Sequence, residues 1–280
     1  MLLAALLWST SGLFIKVLEM HALTLSAWRA VFAALALLPL LRPSQFRFSP
    51  ALLLLMLTYG GTMVGFVYAT RFTTAANAIA LQSTSPGWVF LFTCLVLRRV
   101  PLALLPPMGA LLAGIAVMMS EGDGGAGEAA MLGNLIAVST GLTFAMTHLA
   151  FSRIAQPPAG AIIATNLLVA AVCFLLTPED PLAAVEGTEW AAVIYLGAAQ
   201  IGLAFWCFTI AFRYIPVPQA SMLTLLEPLL NPVWVWLMIA ELPSIHGVLG
   251  MAFILAGLLG DTVVRVWRPD LRRFTPGAGP

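Results

Sequence analysis

The chain has 280 residues, 61% of them hydrophobic and 9% charged, with a formal net charge of +1 at pH 7. A mean hydropathy of +0.98 excludes the soluble globular classes. The near-zero net charge gives no ground for nucleic-acid binding. Each crossing of a bilayer takes about 20 apolar residues, and the chain divides into ten such runs, at 2–18, 24–41, 51–70, 75–97, 103–120, 131–151, 160–177, 189–212, 217–240 and 244–264. Runs of this length are helices, since the strands of a membrane barrel would alternate over about ten residues. The expected fold class is an all-α integral membrane protein with ten transmembrane helices.

In chain order, the opening MLLAALLWSTSGLFIK lacks a basic leader and a clean cleavage site, so it reads as the first span, with Trp8, Ser9 and Thr10 near its middle. In the second span Arg29, like Asp261 in the tenth, lies near a span end, where a long or polar side chain can reach the headgroups. The third carries Thr58, Tyr59 and Thr62 beside Gly60, Gly61 and Gly65, glycines that allow close helix approach and some bending. The fourth carries Asn77, Gln82, Ser83, Ser85 and Pro86. An acidic, glycine-rich linker, 121–130, separates the fifth and sixth spans. His148 lies toward the end of the sixth span, and Gln200 and Trp206 lie in the eighth.

The stretch RYIPVPQASMLTLLEPLLNPVW, Arg213 to Trp234, is apolar yet holds four prolines. Its Thr224, Glu227 and Asn231 share one helical face. The same design occurs at an offset of 142 residues: Arg71 matches Arg213, Pro86 matches Pro228, Pro101 matches Pro243, and Asn77 meets Gln219. Gln82 and Ser85 fall opposite Thr224 and Glu227. Pro86 and Pro228 should each break a helix near mid-depth and free carbonyls to line a cavity.

With residue 1 inside the cell, one set of loops holds Arg42, Arg47, Arg98, Arg99, Arg153, Arg213, Arg265, Arg268, Arg272 and Arg273, and the other holds only Lys16 and Arg71. Glu19, Glu121, Asp123, Glu128, Glu179, Asp180, Glu186, Glu189 and Glu241 all fall on the second side. This bias puts both termini in the cytoplasm. Two halves of five spans each, 1–120 and 131–264, must then sit upside down relative to each other, leaving 265–280 as a basic cytoplasmic tail. Cys94, Cys173 and Cys207 fall inside spans without metal-ligand spacing, so no metal or cofactor is expected.

Three strings, LLWSTSGLFIK from Leu6, ALTLSAWRAVFAAL from Ala22 and LTLLEPLLNPVWVWLMIAELPSIHGVLGMAFILAGL from Leu223, resemble the EamA-domain drug/metabolite transporter superfamily. Within it the chain is most similar to YddG-type exporters of aromatic and hydrophobic amino acids. Arg99 departs from the pattern, standing where the family often has an acid such as Glu241. The resemblance implies a ten-helix fold of two inverted repeats in the bacterial inner membrane, exporting small metabolites.

A substrate site in a repeat-built transporter lies near mid-depth, so the candidates are Trp8, Ser9, Tyr59, Gln82, Ser85, His148, Gln200, Trp206, Thr224, Glu227 and Asn231. Candidate gating positions are Gly60, Gly61, Gly65, Asn77, Pro86, Gln219 and Pro228. Each has a plainer reading. Serines and threonines in membrane helices bond the preceding turn, tryptophans such as Trp88, Trp190, Trp234, Trp236 and Trp267 anchor at interfaces or pack, and His148 serves helix packing. Glu227, the carboxylate deepest in a span, is either a proton or amine site or a partner for backbone freed by Pro228 or Pro232. The chain has no HExxH, no GxSG and no GxxxxGK[ST], which speaks against an intramembrane enzyme or an ATP-driven pump. The expected partners are lipid and a small solute, with amino acids first, and the expected state is a monomer.

Overall fold

The computed structural model describes residues 1–41, 48–120, 127–151, 153–154, 158–211, 214, 223–268 and 271, with the side chains of Leu97 and Pro158 set aside. Among the described residues every regular element is a helix. In chain order these are α1 (Leu2–Ser9), α2 (Ser11–Val17), α3 (Ala22–Leu37), α4 (Pro50–Phe72), α5 (Ala75–Gln82), α6 (Ser85–Leu97), α7 (Leu105–Met119), α8 (Gly127–Phe151), α9 (Pro158–Leu176), α10 (Glu189–Ile194), α11 (Ala204–Ala211), α12 (Leu226–Ile239) and α13 (Ile245–Trp267). Eight of the resulting rods are long and apolar enough to cross a membrane, and two shorter apolar helices, Leu2–Val17 and Leu226–Ile239, accompany them.

Local chemistry explains the starts and interruptions. Ser49 caps α4 by accepting from the Leu52 N–H at 3.1 Å, with Pro50 in the first turn. Thr74 does the same for α5 through the Asn77 N–H, and Ser244 for α13 through the Gly247 N–H. The first rod is interrupted at Thr10, where Ser9 and Thr10 donate to the carbonyls of Leu6 and Leu7 at 2.8 and 2.7 Å; such back-bonding bends helices. Between α10 and α11 the chain winds as a wider π-helix, Tyr195–Leu203.

Two expected boundaries move. α8 begins at Gly127 rather than after residue 130, because Glu128, Ala129 and Ala130 are good helix formers with the acid in the first turn. α13 runs on to Trp267, so Arg265 belongs to the helix and not to a tail; it pairs with Asp261 one turn back at 2.8 Å. Asp261 therefore lies buried in an ion pair instead of reaching for headgroups.

The longest interfaces are α4 on α8, α7 on α13, and α3 on both α9 and the π-helix. Small residues set their distance. A Cβ at Gly114 would lie 2.6 Å from the Gly250 carbonyl oxygen, and one at Gly197 would lie 2.6 Å from that of Arg29. In α4, Gly60 faces Val169 and Gly65 faces Thr140, whereas Gly61 has open space beside it; the helix runs through all three without a break.

One end of the bundle is tied by polar bonds. Lys16 Nζ donates to the Thr73 carbonyl at 2.8 Å and pairs with Glu241 at 2.9 Å. The other oxygen of Glu241 accepts from the Ala75 N–H. Arg71 donates to the Leu18 carbonyl at 2.7 Å, and the His21 N–H donates to Glu179 at 2.9 Å. Asn134 accepts from Thr73 and from Asn77, and donates to the Met118 carbonyl. This acidic end joins α2, α4, α5, α8 and the loop before α13.

Replacement of Gly114 by Ala forces its methyl onto the backbone of α13 and should lower stability by about 1–3 kcal/mol. The same change at Gly109, which has open space, should be neutral or stabilising. Thermal unfolding of the two purified variants in detergent checks this, and equal midpoints would contradict the packing.

Candidate functional site

The rod of α5 and α6 is interrupted at Ser83–Thr84, and the helix leading into α12 at Leu225, each three residues before a proline, Pro86 and Pro228. A proline has no N–H for the carbonyl four residues back, so Gln82 and Thr224 lose their helical donors. The Thr84 hydroxyl donates to the Leu81 carbonyl at 2.6 Å. Over this break lies Gly141 of α8: a Cβ there would sit 3.1 and 3.2 Å from the carbonyl oxygens of Leu81 and Gln82 and 2.9 Å from Thr84 Oγ1. Beside α12 stands another glycine, Gly12 of α2, whose missing side chain leaves the room that Asn231 Oδ1 occupies. Asn231 is fully buried and donates to Ser11 Oγ at 3.4 Å.

Against α12 lies a polar and aromatic turn of the first rod. Ser9 accepts from Trp234 Nε1 at 2.9 Å. The ring of Trp8 lies 5.2 Å from that of Phe208. Thr10 and Tyr195 share a hydrogen bond of 2.9 Å, and Phe14 packs on Tyr195 at 4.8 Å. Tyr195 opens the π-helix, so the first rod, the π-helix, α11 and α12 meet around residues 8–11. Glu227 lies one turn from Asn231 on the same face of α12, half-buried, and among the described residues no hydrogen bond or ion pair engages its carboxylate.

Arg29 corrects the expectation for the second span. It is 5% exposed, and its guanidinium donates to Gln200 Oε1 at 3.2 Å instead of reaching a headgroup. Tyr59, packed among Leu55, Phe151 and Ile162, lies within electrostatic reach of that guanidinium. Arg29 is turned inward because Gly197 brings the backbone of α3 against the π-helix, which carries Gln200.

The remaining candidates are dispersed. Trp206 is 45% exposed and lies two residues from Phe208, nearly opposite it on α11. Phe208, not Trp206, therefore meets Trp8. The His148 ring packs at a tilt on Phe144, centroids 4.5 Å apart, while its neighbour Thr147 donates to Thr58. Gln82 keeps a buried Oε1 without a hydrogen-bond partner, and Ser85 is buried at the start of α6. Asn77 is buried at the acidic end, while Gln219 lies outside the described residues. Trp190 packs edge-on against Trp28 at 5.0 Å, and Trp234 is engaged by Ser9. Among the described residues no group of His, Cys, Asp or Glu is placed to hold a metal ion, and the three cysteines are free thiols.

Sequence reasoning missed Ser11, Gly12, Tyr195 and Phe208. A faint signal existed for two of them: the string STSG of the first span is echoed by VSTG of the sixth, ending at Gly12 and Gly141. Nothing in the local pattern of Tyr195 or Phe208 marks them, since both stand in an unbroken apolar run.

The chain was compared with known proteins. It is 24% identical over 257 residues to an uncharacterised transporter of Archaeoglobus fulgidus, a match covering 92% of this chain and 93% of that one. A solved crystal structure, 22% identical, superposes with a TM-score of 0.64 over 93% of this chain and 94% of its own, a likeness of fold. The sequence model of the EamA-like transporter family matches residues 1–121 and again 129–260. The rods are long enough to cross a bilayer several times, and with that double match the chain belongs to the EamA-like transporter family.

Proposed function

We propose that the protein is a secondary transporter built of ten membrane-crossing helices in two inverted five-helix repeats, exporting small amphipathic metabolites by alternating access. Aromatic and other hydrophobic amino acids are the first substrates, as in YddG-type exporters. The observation that carries this reading is the reciprocal seating of the interrupted rods. Gly12, from the first half, makes room for Asn231 in the second; Gly141, from the second half, covers Thr84 and Gln82 in the first. Two antiparallel copies that exchange their opening helices would produce this arrangement.

The solute would sit where residues 8–11 meet the π-helix, α11 and α12. Trp8, Phe208 and Trp234 offer apolar faces there, and Ser11 and Asn231 offer hydrogen bonds, the mix that suits an amphipathic molecule. On the reading of the arginine bias, the acidic end faces out and both termini face the cytoplasm. The Lys16–Glu241 pair with its bonds to Thr73 and Ala75 then closes the outer mouth. Export of hydrophobic amines is the second reading, favoured by the half-buried carboxylate of Glu227, which no group among the described residues engages.

Counterflow into proteoliposomes, competed by unlabelled amino acids, nucleosides and quaternary amines, tests the function. Phenylalanine and leucine should compete saturably. Competition by amines alone would overturn the amino acid assignment, and unsaturable flux would point to a channel. If Glu227 carries the coupling proton, Glu227→Gln should abolish the effect of a pH gradient on uptake while leaving counterflow intact; an unchanged gradient effect removes the residue from coupling.

A further inference from the structure

Arg29 lies in the eighth position of α3, about 10 Å along the helix from its start, and its side chain is turned into the protein. A guanidinium has five N–H donors and a charge that cannot be shed. Among the described residues it makes one side-chain hydrogen bond, to the neutral Gln200, and its buried Nε has no partner. Among the described residues no carboxylate forms an ion pair with it; the two ion pairs found are Lys16–Glu241 and Arg265–Asp261. An unpaired cation at this depth is costly, and such residues are kept where the charge meets a moving ligand.

A purely structural role fits poorly. Bracing α3 against the π-helix uses one of five donors, and a neutral amide would do that without desolvating a charge. The site is also built for reach: Gln200 stands within a π-helix, a local widening common at functional sites, and Gly197 brings α3 close enough for Arg29 to meet it. Tyr59, from α4, adds a hydroxyl dipole but no counter-charge.

We infer that Arg29, oriented by Gln200, is the seat of a carboxylate on the transported solute, so that the protein selects monoanionic or zwitterionic carboxylic acids over their neutral or decarboxylated analogues. The planar fork of the guanidinium matches a carboxylate in two parallel hydrogen bonds. One positive charge balances one negative charge, which disfavours phosphate esters. The inference rests on the transporter reading above and names the substrate class for it.

The test is ligand-dependent thermal unfolding of the purified full chain in detergent with phenylalanine, 3-phenylpropionate, phenylalanine amide and phenethylamine. Phenylalanine and 3-phenylpropionate should bind about tenfold to a hundredfold more tightly than the amide and the amine, the range expected for charge-assisted hydrogen bonds. Arg29→Gln should erase that preference while leaving the weak binding of the amide unchanged. Equal binding of acid and amide by the native chain, binding of none of the four, or an undiminished preference in Arg29→Gln overturns the inference. Should Arg29→Gln fail to fold, Arg29→Lys should keep the preference for acids at about tenfold weaker affinity, and unaltered affinity there counts against it. Arg29-dependent binding of 3-phenylpropionate without any counterflow would leave the carboxylate seat standing and defeat the transporter reading alone.

Discussion

A helix that stops inside hydrocarbon leaves carbonyl groups that water cannot reach, and each one uncovered costs several kcal/mol. The rest of this structure follows from how two such interruptions are covered. At Ser83–Thr84 the Leu81 carbonyl accepts from both the N–H and the hydroxyl of Thr84, and the bare backbone of Gly141 packs over the carbonyls of Leu81 and Gln82. Beyond the second interruption, within α12, Asn231 reaches into the space that Gly12 leaves and bonds Ser11. A methyl group at Gly12 would meet Asn231 Oδ1, and one at Gly141 would meet Thr84 Oγ1 at 2.9 Å. The interruptions thus dictate which helices stand beside them, and those helices bring in the polar turn around Trp8 and Ser9.

Covering the breaks also concentrates polarity in the interior. Hydroxyl pairs between α4 and α8, Thr58 with Thr147 and Thr62 with Thr143, are satisfied by each other and by the preceding turn, so they hold helices together without offering much to a solute. Other buried polar atoms differ: among the described residues Gln82 Oε1, Asn166 Oδ1, Asn231 Oδ1 and the Nε atoms of Arg29 and Arg71 have no hydrogen-bond partner. At the acidic end Lys16, Glu241 and Asn134 are bonded, and Arg71 donates to the Leu18 carbonyl while its buried Nε has no partner among the described residues.

Much of this was legible in the chain itself, for reasons that can be named. Apolar runs of the right length mark helices in a bilayer because no other open structure satisfies the backbone there. Prolines aligned at an offset of 142 residues foretold both interruptions, since a missing N–H is a local property. Glu227 and Asn231, one turn apart on α12, keep the shared face that helical spacing predicts, whereas Thr224 lies before the interruption at Leu225. What stayed hidden was non-local. Arg29 looked like a residue near a span end, and only the approach of α3 to Gly197 turns it inward. Trp206 stands near the interior of its span by sequence, yet the winding of α11 gives Phe208 the face toward Trp8. The π-helix has no sequence period of its own, and the Lys16–Glu241 pair joins residues from opposite ends of the chain.

The central claim is that the two halves lie antiparallel in the membrane and share the interior between their interrupted helices. Its most direct test is side-specific labelling of single cysteines in a chain whose native Cys94, Cys173 and Cys207 are replaced by serine. Glu19→Cys and Glu128→Cys, both at exposed positions, should react with a membrane-impermeant maleimide from the same side of intact cells. Reaction of the two from opposite sides would contradict the antiparallel arrangement and the transport mechanism built on it.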